Sequence, residues 1–251
     1  MTVSTHYYNL KNKVIFITGG ASGIGAAMVK AFSDQGAKVA FVDIDEAASC
    51  SLAKNLSNSY WYKNLDVTNP QSLQSAVDEA AQALGGLDVL INNVANDMRH
   101  SPENIAISEW QRCMSINLDP TFFASQAAYK IMSNQKSGSI INFSSINALL
   151  GQEQMAGYVT AKAGIIGMTK SLAHDFGINN VRVNAILPGW VATQKQLDSW
   201  LTNEEENRWM QTMALKKRIE PQDVANLALF LASNDSALIT GQSIAIDGGK
   251  T

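Results

Sequence analysis

Residues 14–35 set a short apolar run, a glycine-rich turn and a helical stretch in immediate succession. Val14-Ile15-Phe16-Ile17-Thr18 reads as a buried strand, and residues 23–35 read as a helix closed by Gly36. Between them lies Thr18-Gly19-Gly20-Ala21-Ser22-Gly23-Ile24-Gly25. Glycines at such a junction let the backbone turn sharply and approach a pyrophosphate at the positive end of the helix. The spacing is G-x-x-x-G-x-G, so the general dinucleotide fingerprint G-x-G-x-x-G is not matched literally. By itself the turn is a weak signal, and its context strengthens it.

The same alternation continues along the chain. Strands are expected at 38–43, 60–62, 88–92, 139–143, 181–186 and 243–246. Helices are expected at 45–56, 70–84, 108–135 with a break at Pro120, 156–176 and 221–232. Near-continuous apolar strands separated by helices indicate an α/β fold, a doubly wound, mostly parallel seven-stranded sheet of Rossmann type with helices on both faces. No repeat or linker divides the 251 residues, which suits a single domain over 1–251. Residues 189–215, with Trp190, Trp200 and Trp209 among polar neighbours, suit a helical lid over a ligand site.

Composition excludes several functions. A formal net charge of −3, with no basic run, argues against nucleic acid and anionic membrane surfaces as partners. Cys50 and Cys113 make no disulfide framework, and His6, His100 and His174 form no ligand pattern, so no metal is expected. No apolar run approaches 18 residues and no signal peptide is evident, so a cytoplasmic protein is expected.

Tyr158 and Lys162 lie four residues apart and share one face of the 156–176 helix. A free phenol has a pKa of about 10; moving it to about 7 takes roughly 4 kcal/mol, and a nearby ammonium favours the phenolate. Alone, the pair also fits a packed ring beside a solvated charge. Asp43 ends the second strand, 18 residues after Gly25. A carboxylate there suits ribose hydroxyls and repels a 2′-phosphate. Residues 18–29 hold no Arg or Lys, which favours NAD over NADP. The alternative for Asp43 is a strand-end turn residue.

Taken in order, these motifs resemble the short-chain dehydrogenase/reductase family over about residues 10–249. The T-G-x-x-x-G-I-G turn is Thr18 to Gly25, and the Asp-Val pair is Asp66-Val67. The N-N-A-G turn stands altered as Asn92-Asn93-Val94-Ala95. The helix asparagine is Asn117, the serine 13 residues before the tyrosine is Ser145, and Tyr158 and Lys162 fill Y-x-x-x-K. Pro188-Gly189 with Thr193 matches P-G-x-x-x-T, and Thr240-Gly241-Gln242 with Asp247-Gly248-Gly249 matches the closing strand.

The resemblance implies hydride transfer between nicotinamide and a carbinol or carbonyl carbon. It implies Asn117, Ser145, Tyr158 and Lys162 as catalytic residues, with Asn117 holding a water that links Lys162 to solvent. It implies NAD contacts from Gly19, Ser22, Gly23, Ile24, Gly25, Asp43, Ile44, Asp66, Val67, Asn93, Val94, Ala95, Tyr158, Lys162, Pro188, Gly189, Val191 and Thr193. Ser144 adjoins Ser145, and one of the two hydroxyls is expected in the cleft. Homotetramers are common in the family, so a homo-oligomer is implied.

Asn96-Asp97-Met98-Arg99-His100 and the run from Pro188, followed by Trp200-Leu201-Thr202, are similar to NAD-dependent aldose 1-dehydrogenases of this family. That implies a small-molecule substrate, an aldose oxidised at C1 to a lactone. Asn96, Ser145, Asn147, Gln152, Gln154 and Trp190 are candidates for contacting it. Asn147 departs from the subgroup, where a tryptophan stands at that position in some members. Arg99 and His100 alternatively cap a loop or make a subunit contact. Alternative substrates are another secondary alcohol or a 3-oxoacyl thioester, and a catalytically silent NAD sensor is the alternative outside enzymes.

Overall fold

A computed structural model of the chain describes residues 5–199 and 202–251. Seven strands form one sheet in the order β3-β2-β1-β4-β5-β6-β7: β1 Val14–Thr18, β2 Lys38–Asp43, β3 Tyr60–Asn64, β4 Val89–Asn92, β5 Gly138–Phe143, β6 Val181–Pro188 and β7 Ser243–Ile246. Every neighbouring pair runs parallel. The order reverses between β1 and β4, and connections leaving these neighbouring strands toward opposite faces open a crevice at their carboxyl ends.

The helices are α1 Gly23–Asp34, α2 Glu46–Ala53, α3 Pro70–Leu84, α4 Ile107–Asn117, α5 Asp119–Gln135, α6 Asn147–Leu150, α7 Ala156–Gly177, α8 Gln194–Ser199, α9 Asn203–Gln211 and α10 Pro221–Ala232. Strand residues alternate between two apolar layers. Ile15, Ile17, Phe41 and Ile141 meet Met28 and Phe32 of α1 and Leu229 of α10. Val14, Phe16, Val42 and Ile140 meet Leu73 of α3, Met132 of α5 and Phe176 of α7. Both faces of the sheet are therefore covered, which is why its strands carry few polar residues.

The expected break near Pro120 falls at Leu118, whose φ of −124° and ψ of −56° separate α4 from α5. Pro120 itself sits in the first turn of α5, where its missing N–H costs no helical bond. The short α6 was not expected, and β6 runs on to Pro188. Residues 189–215 hold α8 and α9; Trp200 and Leu201 lie outside the described residues.

Several polar side chains inside the sheet bond to one another, although Asn92 Oδ1 is buried without a partner. Asn92 and Asn142 are register partners on β4 and β5, and Asn92 Nδ2 donates to Asn142 Oδ1 at 2.9 Å. Asn142 Nδ2 donates in turn to Thr169 Oγ1 of α7 at 3.0 Å, and Asn92 Nδ2 also reaches Ser125 Oγ of α5 at 3.1 Å. The network ties two helices to the two central strands below the crevice. Asn142→Ala strands buried donors and acceptors and is expected to cost about 1–3 kcal/mol. Urea denaturation measures it, and an unchanged midpoint would show that the network contributes no stability.

Candidate active site

The glycine turn is closed by contacts that leave no room for side chains. A Cβ on Gly25 would lie 1.8 Å from the Gly19 carbonyl oxygen. On Gly19, whose φ is +64°, it would meet Val94 Cγ2 at 3.0 Å; on Gly23, with φ +52°, Thr193 Cγ2 at 3.2 Å. The β4 turn helps hold the arrangement. Asn93 Nδ2 donates to the carbonyls of Thr18 and Gly19 at 3.1 and 2.9 Å, and Asn93 N donates to Thr18 Oγ1 at 3.0 Å. The Asn93 side chain thus shapes the turn. Ala95, where the family pattern has glycine, is exposed and lines the cavity, so its methyl has room.

The turn delivers the start of α1 to the crevice. Ser22 is its N-cap residue, yet makes no side-chain cap bond. By contrast, Asp45 caps α2 through Ala48 N and Asn69 caps α3 through Ser72 N. First-turn N–H groups of α1 thus receive no cap from Ser22, the state an anion site needs. Asp43 Oδ2 accepts from Ala21 N at 2.9 Å and Oδ1 from Asp45 N at 3.0 Å, so this carboxylate is fixed beside the turn. Ile44 is exposed beyond it, and Val67 is buried next to the exposed Asp66. These residues fit a dinucleotide.

Past β5 the two serines separate. Ser144 Oγ donates to the Lys162 carbonyl at 2.7 Å, while Ser145 Oγ accepts from Asn147 N at 3.1 Å and lies beside the Tyr158 phenol, whose ionised form its hydroxyl favours. Ser145 is therefore the serine that faces the phenol. Lys162 is buried, its Nζ donating to the Phe143 carbonyl at 2.8 Å and lying 5.7 Å from the centroid of the Tyr158 ring.

Burial dominates the electrostatics of the pair. It pushes the Tyr158 phenol up to about 12, with Asp97 and Cys113 adding to the rise and the Ser145 bond opposing it. It pulls the Lys162 ammonium down to about 8. Desolvation, rather than the ammonium, thus sets the direction of the phenol's shift. Desolvation penalises both charges, and the ammonium is directed at a carbonyl rather than at the phenol oxygen.

A cavity of about 950 Å³ joins these parts. Ile24, Pro188, Gly189, Val191 and Thr193 line it near the glycine turn, and Ser145, Asn147, Gln152, Tyr158 and Trp190 line it farther on. Gln154 is not among its lining residues: it is exposed, has a φ of +57°, and its carbonyl accepts from His100 N at 2.7 Å. The Asn117 amide is committed to backbone. Its Oδ1 accepts from Asn96 N at 2.8 Å, and its Nδ2 donates to the carbonyls of Asn96 and Cys113, each at 3.0 Å. His100 Nε2 accepts from Gly157 N at 3.3 Å in the first turn of α7, the loop-and-cap alternative for that residue. Asp97 also lines the cavity and was not singled out from sequence, because the groups it contacts lie about a hundred residues away.

Residues 19–251 match the family model described as enoyl-(acyl carrier protein) reductase. The chain is 43% identical over 250 residues to a Rhizobium meliloti protein named probable galactose dehydrogenase GalD, covering 98% of each. It is 41% identical over 249 residues to D-xylose 1-dehydrogenase of Caulobacter vibrioides, again covering 98% of each. A solved structure of a mutant short-chain dehydrogenase/reductase from Serratia marcescens superposes with a TM-score of 0.89 at 32% identity, covering 96% of this chain and 99% of that one.

The chain is a short-chain dehydrogenase/reductase. It is an oxidoreductase of the kind that acts on CH–OH groups, and family members use NAD or NADP. No helix among the described residues of this dehydrogenase is long and apolar enough to cross a membrane.

Lys162→Met removes a buried charge and keeps the apolar stem. Because burial holds the ammonium near 8, a charged Lys162 is a cost to folding below that pH and a vanishing one as pH rises toward 10.5. The variant is expected to melt at the wild-type temperature or above it at pH 7, with turnover reduced at least a hundredfold. A fall in melting temperature of more than 5 °C would mean that Lys162 holds the fold together by its charge.

Proposed function

We propose that this dehydrogenase oxidises an aldose at C1 to the lactone with NAD⁺, through Ser145, Tyr158 and Lys162. The observation that carries the reading is the shared cavity, in which the serine–phenol pair and the glycine turn face one space. The names of the galactose and D-xylose relatives, at 43% and 41% identity, support the substrate class.

In this reading Gly19 and the turn Ser22–Gly25 hold the pyrophosphate on the α1 N–H groups. Asp43 takes the adenosine ribose hydroxyls, and Ile44, Asp66 and Val67 border the adenine. Backbone at Asn93, Val94 and Ala95, together with Pro188, Gly189, Val191 and Thr193, borders the nicotinamide end. When bound, the nicotinamide accepts the hydride from the carbinol carbon.

The chain's own residues handle the proton. Ser145 hydrogen-bonds the reacting oxygen and holds it at the phenol. Tyr158, as phenolate, takes the hydroxyl proton. Lys162 holds the nicotinamide ribose and counters the phenolate charge. Since the Asn117 side chain is bound to Asn96 and Cys113, a water linking Lys162 to solvent is left to the Asn117 main-chain carbonyl at the helix break. Trp190 offers an aromatic face to the C–H surface of the sugar, and Asn96, Asn147 and Gln152 supply polar groups; Gln154 is withdrawn from that set. Assembly into a homo-oligomer would cover Ile107, Trp110 and Phe122, which stand exposed on α4 and α5.

The test is NADH formation from NAD⁺ with a panel of aldoses and simple secondary alcohols. Turnover confined to non-sugar alcohols ends the aldose reading, and tight NAD binding with no turnover favours a sensor. Tyr158→Phe is expected to keep NAD affinity and lose about 10²–10⁴ in turnover. A Phe variant at the wild-type rate would remove Tyr158 from the mechanism.

The direction of the pH dependence follows from the site. Oxidation needs the phenol deprotonated, and burial raises it to about 12, so kcat/KM for oxidation is expected to keep rising with pH through the neutral and mildly alkaline range, while reduction, which uses the protonated phenol, stays flat there. A flat oxidation profile would count against Tyr158 as the proton acceptor. Asp43→Ala removes the ribose acceptor and the charge that repels a 2′-phosphate. It is expected to weaken NAD binding roughly tenfold and to narrow the NAD/NADP preference, read as the ratio of the two dissociation constants. An unchanged ratio would leave the selectivity elsewhere.

A further inference from the structure

We infer that Asp97 is the specificity-determining carboxylate of the substrate subsite, accepting two neighbouring hydroxyls of the sugar in exchange for its contacts to the lid; this rests on the aldose reading.

Asp97 lines the cavity on the loop that follows β4, with 39% of its side chain exposed. Its two oxygens are held by separate groups of α8. Lys195 Nζ reaches Oδ1 at 3.3 Å, and Gln196 Nε2 donates to Oδ2 at 3.2 Å. Both contacts are long for charge-assisted bonds, and Lys195 is 67% exposed, so ligand hydroxyls can replace them at small loss. Two acceptor oxygens on one rigid carboxylate match two adjacent hydroxyl donors.

The loop that carries Asp97 is fixed on both sides. The Asn117 amide takes both backbone groups of Asn96, and Met98 N donates to Asn96 Oδ1 at 3.1 Å. At the far end His100 is bonded to Gln154 O and Gly157 N, so the loop is tied to the turn that bears Tyr158. The lid side continues from Gln196, whose Oε1 accepts from Trp190 Nε1 at 2.8 Å, to Trp209, which meets Trp190 edge to face at 5.5 Å. The acceptor is thus held on a fixed loop while its partners sit on the lid. The negative charge of Asp97 works against ionisation of Tyr158, so it gives the proton step no help.

The test is kcat/KM for wild type, Asp97→Asn and Asp97→Ala with the best aldose and with each of its monodeoxy derivatives. Asp97→Ala is expected to lose roughly 10- to 100-fold on the parent sugar, mainly through KM. Asp97→Asn, which keeps one acceptor, should fall between. On the derivative lacking the contacted hydroxyl, wild type should already be slow and the substitution should cost less than threefold. NAD affinity and melting temperature should not move. An equal loss on the parent and on every deoxy sugar would overturn the proposal and make Asp97 a lid latch; no loss would overturn it outright. A wild-type enzyme that turns over no aldose fails the aldose reading itself, and the proposal with it.

Discussion

The site depends on a buried ammonium bonded to the end of a strand. Lys162 Nζ donates to the Phe143 carbonyl, and Ser144 Oγ donates back to the Lys162 carbonyl. These two bonds run in opposite senses between the carboxyl end of β5 and the middle of α7. They fix both the rotation and the register of the helix. With Lys162 held, Tyr158 comes one turn earlier on the same face, and Ser145 leaves the strand on the side that meets it. A helix slid by one residue would move the ring about 100° around its axis and out of the cleft.

That anchoring has an electrostatic consequence. The burial that gives the helix its register also disfavours both charges, holding the phenol near 12 and the ammonium near 8. The free protein therefore favours a protonated phenol. Ionising Tyr158 requires favourable charge and hydrogen bonding supplied within the cleft as it fills. Release of the phenol proton and ligand binding are consequently linked, and the phenolate is favoured when the hydroxyl it must act on is beside it.

Much of the fold was legible because it rests on local pattern. Alternating apolar runs and helical stretches were enough for the seven strands, and Gly25 is glycine because any Cβ would strike the Gly19 carbonyl. Residue roles that rest on distant partners were less legible. The resemblance implied Asn93 and Asn117 as cofactor and relay residues, but not the backbone contacts their side chains make to Gly19 and Asn96. Gln154 has the right chemistry beside the right residues, yet its left-handed backbone turns it to solvent. Asp97 was read only as part of the Asn96–His100 run, because its partners Lys195 and Gln196 on α8 are about a hundred residues away. The ammonium–phenol pair was recognised, but the sign of its pKa shifts was not, since four-residue spacing says nothing about desolvation.

The two halves of the cleft differ in how they are built, and that difference bears on substrate choice. Ser145, Tyr158 and Lys162 sit on the β5–α7 anchor, where a change of volume or register is felt by the central sheet and its Asn92–Asn142–Thr169 network. Asp97, Lys195, Gln196 and Trp190 lie on the loop after β4 and on the segment that holds α8, joined by single polar contacts, one of them solvent-exposed. Substitutions there leave the sheet untouched. The position of the phenol is therefore set by the packing of the central sheet, whereas the groups on the loop and on α8 can be exchanged one at a time. Among these groups Asp97 differs in being carried by a loop that Asn117 and His100 fix, so its position does not depend on α8.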